Sequence, residues 1–334
     1  MKCPLITISI PAYNSERYIN RSIYSALNQT YPNLEIVIVD DKGKDKSLEI
    51  SKKIQSQHPD KIRIIEHREN SGLSIVRNTG IDDARGEYLF FLDSDDEIPA
   101  DCIEKLYNKA KETRATLTIG QTTAIDTFSH TEYPIFEFKK DRDYLEGNDA
   151  ILEHFCKGEW AVSAWNKLFK VDFFRKNKIY FIKGLFSQDE LWSFHTALKL
   201  DSIAFLNANT YLYYLHGDSI VFNKKKINFE NHQTIVEYFT RAYKEESPLR
   251  KKFILNHIIR FKELTLTLQW KSMRVDGDYW KQNYSRLKKA PSLSVSDYLS
   301  SYFSKDLKKK NFFQNLPVEL GYKLFEWRFG RGKK

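Results

Sequence analysis

The sequence predicts an α/β protein in which a mixed, mostly parallel sheet is flanked by helices and followed by a C-terminal helical region. Three observations carry this. Short β-branched runs alternate with amphipathic stretches over roughly the first 120 residues, as strands joined through covering helices require. Beyond residue 225 the alternation gives way to helical patterns alone. Charge divides the chain at the same place: residues 224–334 hold 25 Lys and Arg against 11 Asp and Glu, while the whole chain carries only +9, so residues 1–223 are net acidic.

The elements follow in order. Leu5 to Ile10 is a first strand, and Tyr18, Ile19, Ile23 and Leu27 recur at helical spacing within Ser15 to Gln29, with Asn14 or Ser15 as the cap. Leu34 to Asp40, Ile62 to Glu66, Glu87 to Leu92 and Ala115 to Ile119 are further strands. Helices over Lys46 to Gln57 and Leu73 to Ala84 separate them, and another begins near Pro99 to Asp101. After residue 120 aromatic residues become denser, as in Trp160-Ala-Val-Ser-Ala-Trp165-Asn-Lys-Leu-Phe169. In the basic part Ile254, Ile258, Phe261, Leu264 and Leu268 form a helical stripe. The expected division is a domain over residues 1–223, with halves 1–120 and 121–223, and a mainly helical region over 224–334.

Composition excludes several classes. Cys3, Cys102 and Cys156 are scattered, with no C-x-x-C and no histidine at metal spacing, which argues against a disulfide framework or structural zinc. The N-terminus reads as a strand rather than a signal peptide, and no apolar run approaches the ~18 residues of a membrane span. A cytoplasmic location is expected. No nucleic-acid-binding signature accompanies the positive charge, so no nucleic-acid partner is expected.

In a mostly parallel sheet, ligands sit outside the carboxyl ends of the strands. Three such ends are rich in polar groups: Pro11-Ala12-Tyr13-Asn14, Asp40-Asp41, and Asp93-Ser94-Asp95-Asp96-Glu97. Neither G-x-G-x-x-G nor G-x-x-x-x-G-K-[ST] is present, so a phosphate-bearing ligand needs another source of positive charge. Alternation along an extended segment projects Asp93 and Asp95 together, and paired carboxylates of this kind suit Mg²⁺ or Mn²⁺. A solvated turn whose acids cap the following helix is the plain alternative.

The stretches ITISIPAYNSERYINRSIYSALNQTYPNLEIVIVDD and HRENSGLSIVRNTGIDDARGEYLFFLDSDD resemble the nucleotide-sugar half of the family 2 glycosyltransferases, inverting enzymes with the Rossmann-like GT-A fold. The resemblance implies that Pro11, Ala12 and Tyr13 hold the nucleotide base, with Tyr13 stacking on it and Glu16 near the ribose. It implies that Asp41 accepts a hydrogen bond from the uracil and that Asp40 supports that loop. Lys42-Gly43-Lys44-Asp45 departs from the family's D-D-G-S-T-D. Arg77 is then expected at the diphosphate or the neighbouring carboxylates and Asn78 at the donor sugar. Asp93-Ser94-Asp95 becomes the family's D-x-D, with Asp95 ligating a divalent cation (Mn²⁺ or Mg²⁺) and Asp93 contacting ribose or metal-bound water.

Trp165-Asn166-Lys-Leu-Phe resembles a W-N-K-L-[FY] segment of bacterial surface-polysaccharide members, which implies Trp165 and Asn166 at the donor or acceptor. Gln188-Asp189-Glu190 resembles the family's E-D motif before a helix, which makes Asp189 the implied catalytic base, with neighbouring Glu190 as its rival and a helix N-cap as the plain reading of Asp189. Tyr211-Leu-Tyr-Tyr-Leu-His216-Gly-Asp-Ser219 resembles Y-Y-x-R-x-x-S-I with no arginine, leaving His216 to complete the metal shell or meet a phosphate.

The implied function is metal-dependent, inverting transfer of a hexose or N-acetylhexosamine from a UDP-sugar donor. The acceptor would be a glycan or lipid-linked glycan in lipopolysaccharide, lipooligosaccharide, capsule or lipid-linked oligosaccharide synthesis. A sugar nucleotidyltransferase lacks its glycine-rich entry loop here, and a non-catalytic glycan- or lipid-binding relative would have lost the carboxylates. The basic C-terminal end from Pro317 onward reads equally as an interfacial helix drawn to the anionic inner face of the membrane or as a helix packed back on the protein.

Overall fold

A computed structural model describes residues 3–136, 138, 143–217, 224–273 and 276–329. The chain divides into two compact units, residues 1–151 with 160–217, and residues 152–159 with 218–334.

The first unit is built on a nine-stranded sheet. Its strands are β1 (Ile6–Ala12), β2 (Leu34–Asp40), β3 (Ile62–Glu66), β4 (Tyr88–Phe91), β5 (Leu117–Asp126), β6 (Thr131–Phe136), β7 (Tyr144–Glu146), β8 (Lys167–Lys170) and β9 (Ser202–Leu215). They lie in the order β3-β2-β1-β4-β8-β5-β9-β7, with β6 paired to β5. β3, β2, β1 and β4 run parallel, β8 is inserted antiparallel between β4 and β5, and β9 is again parallel to β5. Helices α1 (Ile19–Leu27), α2 (Ser47–Gln57), α3 (Leu73–Asp83) and α4 (Cys102–Thr113) make the crossovers. They are followed by α5 (Asn148–Cys156), whose residues from 152 on belong to the second unit, and by α6 (Val171–Asn177) and α7 (Gln188–Ala197).

A parallel sheet covered on both faces needs strands that are apolar throughout. In β2, Ile36 and Ile38 enter the core formed with Ile19 and Ile23 of α1, whereas Val37 and Val39 pack against Val76 of α3 on the other face. α3 lies close on β1 because Gly80 leaves room for it: a Cβ there would collide with the Ser9 hydroxyl.

The bounds of β2 and β3 coincide with the expected runs, β4, α2 and α3 come within a residue at each end, and β1, α1 and β5 differ for local reasons. β1 continues through Pro11 and Ala12, which are buried strand residues and not a turn; only Tyr13, 48% exposed, projects from the strand end. α1 starts at Ile19, because the Ser15 carbonyl already accepts from Tyr18 and Ile19 N–H in a preceding turn. Asn14 does not cap it; it takes a left-handed conformation (φ 49°), and its side chain accepts from Lys44 N–H. β5 runs on to Asp126 because the extension past Gly120 pairs with β6 and the far half of β9.

The second unit contains α8 (Lys226–Glu245), α9 (Pro248–Ser272), α10 (Gly277–Leu287), α11 (Val295–Leu299), α12 (Lys305–Gln314) and α13 (Val318–Phe329). The single stripe expected on α9 is replaced by burial round most of the helix. Leu264 is exposed and Leu268 half-buried, while Lys262, Thr265 and Gln269 are buried, because α8, α10 and α12 all pack on α9. α13 buries Gly321 and Phe325 against α10, where the Phe325 ring lies 4.9 Å from that of Trp280. Arg328 pairs with Glu263 at 2.8 Å. No helix among the described residues is long and apolar enough to cross a membrane.

Candidate active site

The parallel strand ends bring three loops to one edge of the sheet. After β2, Asp41 is buried and spends its carboxylate on the start of α3. Oδ1 accepts from Ser71 N–H and His67 Nδ1, both within 2.9 Å, and Oδ2 accepts from Gly72 N–H at 2.8 Å. A carboxylate at a helix N-terminus is favoured by the free N–H groups and the dipole. Gly72, at φ 84°, supplies the backbone conformation that a side chain would resist. Asp40 is buried beside it, accepts from Lys42 N–H, and is held above the ordinary carboxylate pKa by burial. Glu16 closes the neighbouring loop reciprocally: its N–H donates to Asp45 and its carboxylate accepts from Lys46 N–H.

With its start fixed, α3 directs Arg77 inward. The guanidinium is fully buried and bridges two carboxylates, Asp189 Oδ1 at 2.5 Å and Asp93 Oδ1 at 2.9 Å. Burial alone would lower its pKa, but Asp189 and then Asp93 more than offset this and raise it. Asn78 does not reach into open space. Its amide donates to Phe181 O and accepts from Phe181 N–H, tying α3 to the segment before α7.

The acidic turn after β4 is held by its backbone, which leaves its carboxylates to face one another. Ser22 Oγ donates to Asp93 O, Arg21 donates to Asp95 O, and Tyr211 Oη accepts from Asp93 N–H. Asp96 does not cap α4, whose N-cap is Asp101; it is buried and accepts from Tyr211 Oη and Tyr214 N–H. Glu97 pairs with Arg21 and bridges to the Leu212 backbone instead of opening a helix. Burial, with the like charges of Asp95 and Asp93, raises the Asp96 pKa well above its ordinary value. The Asp93 pKa is also raised, by burial, against the opposing pull of Arg77. Ser94 is half-buried within the turn. Asp95 Oδ2 lies 3.0 Å from His216 Nε2, and the His216 ring stacks on Tyr18 at 4.4 Å. Ser219, in the stretch that follows, lies outside the described residues.

Around β8, Trp165 stacks on Tyr211 at 4.5 Å and on Tyr213 at 5.5 Å. Asn166 is buried, and its amide is engaged by Gly120 O, Gln121 O and the hydroxyls of Thr122 and Thr210. A small recess, partly open to solvent, adjoins them, lined by Ile119, Thr122, Phe136, Ser163, Trp165 and Lys167 among others. Asp189, the second residue of α7, is not its cap, since Ser187 holds that position; besides Arg77 it accepts from Ala164 N–H at 3.3 Å.

A family model described as glycosyl transferase family 2 matches residues 7–176. The chain belongs to this family. As a family 2 glycosyltransferase it has the GT-A arrangement, and its fold matches the structure of Staphylococcus aureus TarS 1–349 in complex with UDP-GlcNAc. That match has a TM-score of 0.75 at 18% identity, over 98% of this chain and 93% of that one. Glycosyltransferase GlyA of Streptococcus pneumoniae serotype 4 is 34% identical over 64% of this chain, which spans only 31% of GlyA. The uncharacterized glycosyltransferase YibD of Escherichia coli K12 is 26% identical over 97% of this chain and 91% of its own length.

The donor set of this family 2 chain fits a divalent cation. Carboxylate oxygens of Asp93, Asp95 and Asp96 lie within 4.8 Å of one another. Burial first, and the neighbouring carboxylates after it, raise the Asp93 and Asp96 pKa values, and a cation would relieve the like-charge part. Asp96 already serves Tyr211 and Tyr214 and Asp93 Oδ1 serves Arg77, so Asp95, whose Oδ2 meets only His216 Nε2 at 3.0 Å, is the least committed of the three carboxylates among the described residues.

Sequence reasoning missed Arg21, Ser22, His67, Lys167 and Tyr211. Tyr211 and Lys167 lay inside motifs quoted for other residues, whereas Arg21 and Ser22 sit on an ordinary amphipathic helix. Only the distance from α1 to the acidic turn reveals them.

Proposed function

We propose that the protein is a metal-dependent, inverting glycosyltransferase. It would move a hexose or N-acetylhexosamine from a UDP-sugar to a glycan or lipid-linked glycan acceptor in lipopolysaccharide, lipooligosaccharide, capsule or lipid-linked oligosaccharide synthesis. The observation that carries the reading is the Arg77 bridge, which places the Asp93–Asp95 turn and Asp189 on either side of one buried cation.

Tyr13, exposed at the end of β1, is the stacking surface for the base. Pro11, Ala12 and Glu16 shape that loop, and Asp41 faces the uracil side from the α3 terminus. Arg77 and Asp93 lie towards the diphosphate and ribose. Asn78 and Asn166 shape the sugar site through the backbones they bind, and Trp165 offers its ring beside Tyr213. Asp189 accepts the proton of the attacking hydroxyl on the face opposite the leaving group, and one displacement inverts the anomeric centre. Asp95 and His216 would hold Mn²⁺ or Mg²⁺, which supplies charge stabilisation to the departing diphosphate.

UDP release from UDP-glucose, UDP-galactose and their N-acetyl forms tests this. Turnover should need Mn²⁺ or Mg²⁺, vanish with chelator, and fall at least about 100-fold in Asp95→Ala. Metal-independent turnover, or an unaffected Asp95→Ala, contradicts it.

The helical region is proposed to meet an anionic membrane surface. α13 leaves Leu320 and Trp327 more than half exposed, with Lys323 between them at helical spacing. Binding to phosphatidylglycerol-rich vesicles should weaken with salt and drop about tenfold in Leu320→Glu/Trp327→Glu. Equal binding to neutral vesicles, or no change in the double variant, contradicts it.

A further inference from the structure

Lys167 is the first residue of β8 and is buried in the sheet interior. Strand alternation puts it on the same face as Phe169, whose ring meets Trp192 of α7 at 5.4 Å. Its ammonium therefore points to the α7 side, where it donates to the carbonyl and hydroxyl of Ser163. Three consecutive residues of that loop are thus held one by one. Ser193 Oγ donates to Val162 O at 2.7 Å, Lys167 takes Ser163, and Ala164 N–H donates to Asp189 Oδ2. Ser193 and Asp189 are four residues apart on α7 and so share one face of it.

A fully buried ammonium satisfied by one serine is an expensive way to tie down a loop, since a neutral donor would do the same without desolvating a charge. Its charge has a counterpart in Asp189. Burial lowers the Lys167 pKa to about 7, with Asp189 opposing the drop and Arg77 adding to it.

We infer that Lys167 is a positioning residue for Asp189: by holding Ser163 it fixes the loop backbone whose Ala164 N–H donates to the Asp189 carboxylate. This rests on the reading of Asp189 as the base. The charged groups facing Asp189 are Arg77 from α3, Asp93 from the β4 exit and Lys167 from β8; those facing Lys167 are Asp189 and Arg77.

The test is amide hydrogen exchange at Ala164 together with initial rates of UDP release. Lys167→Met should speed exchange of Ala164 N–H about tenfold. It should also cut kcat about tenfold while leaving the donor KM within about twofold, and Lys167→Arg, which can still donate to Ser163, should recover most of the loss. If Lys167→Met fails to fold, Ser193→Ala, which frees the neighbouring Val162 carbonyl, is the second variant and should likewise speed Ala164 exchange and lower kcat at unchanged donor KM. A folded variant with unchanged Ala164 exchange, or with kcat unchanged, overturns the inference. Undiminished turnover in Asp189→Asn would instead remove the base assignment and leave Ala164 exchange to decide whether Lys167 holds the loop.

Discussion

Asp189→Asn is expected to reduce kcat for sugar transfer about 1,000-fold, within the range that general-base catalysis contributes. The substitution keeps the side chain's shape and leaves the amide oxygen able to accept from Arg77 or Ala164 N–H, so α7 and the loop before β8 should hold their places. Only the capacity to take a proton is removed. Donor affinity should stay within about threefold, since Asp189 lies across Arg77 from the acidic turn. Initial rates of UDP release, with donor binding measured separately by calorimetry, check both parts. A loss in KM at unchanged kcat would make Asp189 a binding group instead.

Arg77→Met is expected to cost about 3–5 kcal/mol of folding stability, because removing one partner leaves two largely buried carboxylates without their cation. Arg77 is 2% exposed, so water screens its charge little. The deficit should depend on pH. Burial already raises the Asp93 pKa, and Arg77 is the main force opposing that rise, so the variant should raise it further. A carboxyl whose folded pKa exceeds its unfolded value binds more protons in the native state, and stability then falls as pH rises between the two values. The variant should therefore be most impaired at neutral pH and recover towards pH 4. Urea unfolding at pH 7 and pH 4.5 measures this, and a deficit independent of pH would mean that Arg77 acts through packing against Phe181, not through its charge.

Both expectations depend on contacts far apart in sequence, which sets how much could be read beforehand. β2 was legible to the residue because a strand buried on both faces demands a largely apolar run with a polar end, and β3, at the sheet edge, because Ile62, Ile64 and Ile65 favour a strand. The acidic turn and Asp189 were legible as motifs. The Arg77–Asp189 pair, 112 residues apart, was not, because it joins α3 to α7 and no local pattern encodes a contact of that separation. Asn78 and Asn166 illustrate a different limit. An asparagine that meets a ligand and one that holds a backbone have the same chemistry in sequence, and only the partners at Phe181 and Gly120 tell what these two amides do. Asp96 is a third case: an acid just ahead of a helix reads as a cap, but Tyr211 and Tyr214 on β9 had drawn it into the core.

The most direct measurement of the central claim is the anomeric configuration of the product, read by NMR from a UDP-α-sugar, Mn²⁺ and a glycan acceptor. A single displacement assisted by Asp189 predicts a β-linked product with UDP as the leaving group, and none from Asp95→Ala or Asp189→Asn. An α-linked product, or transfer that survives both substitutions, would contradict it.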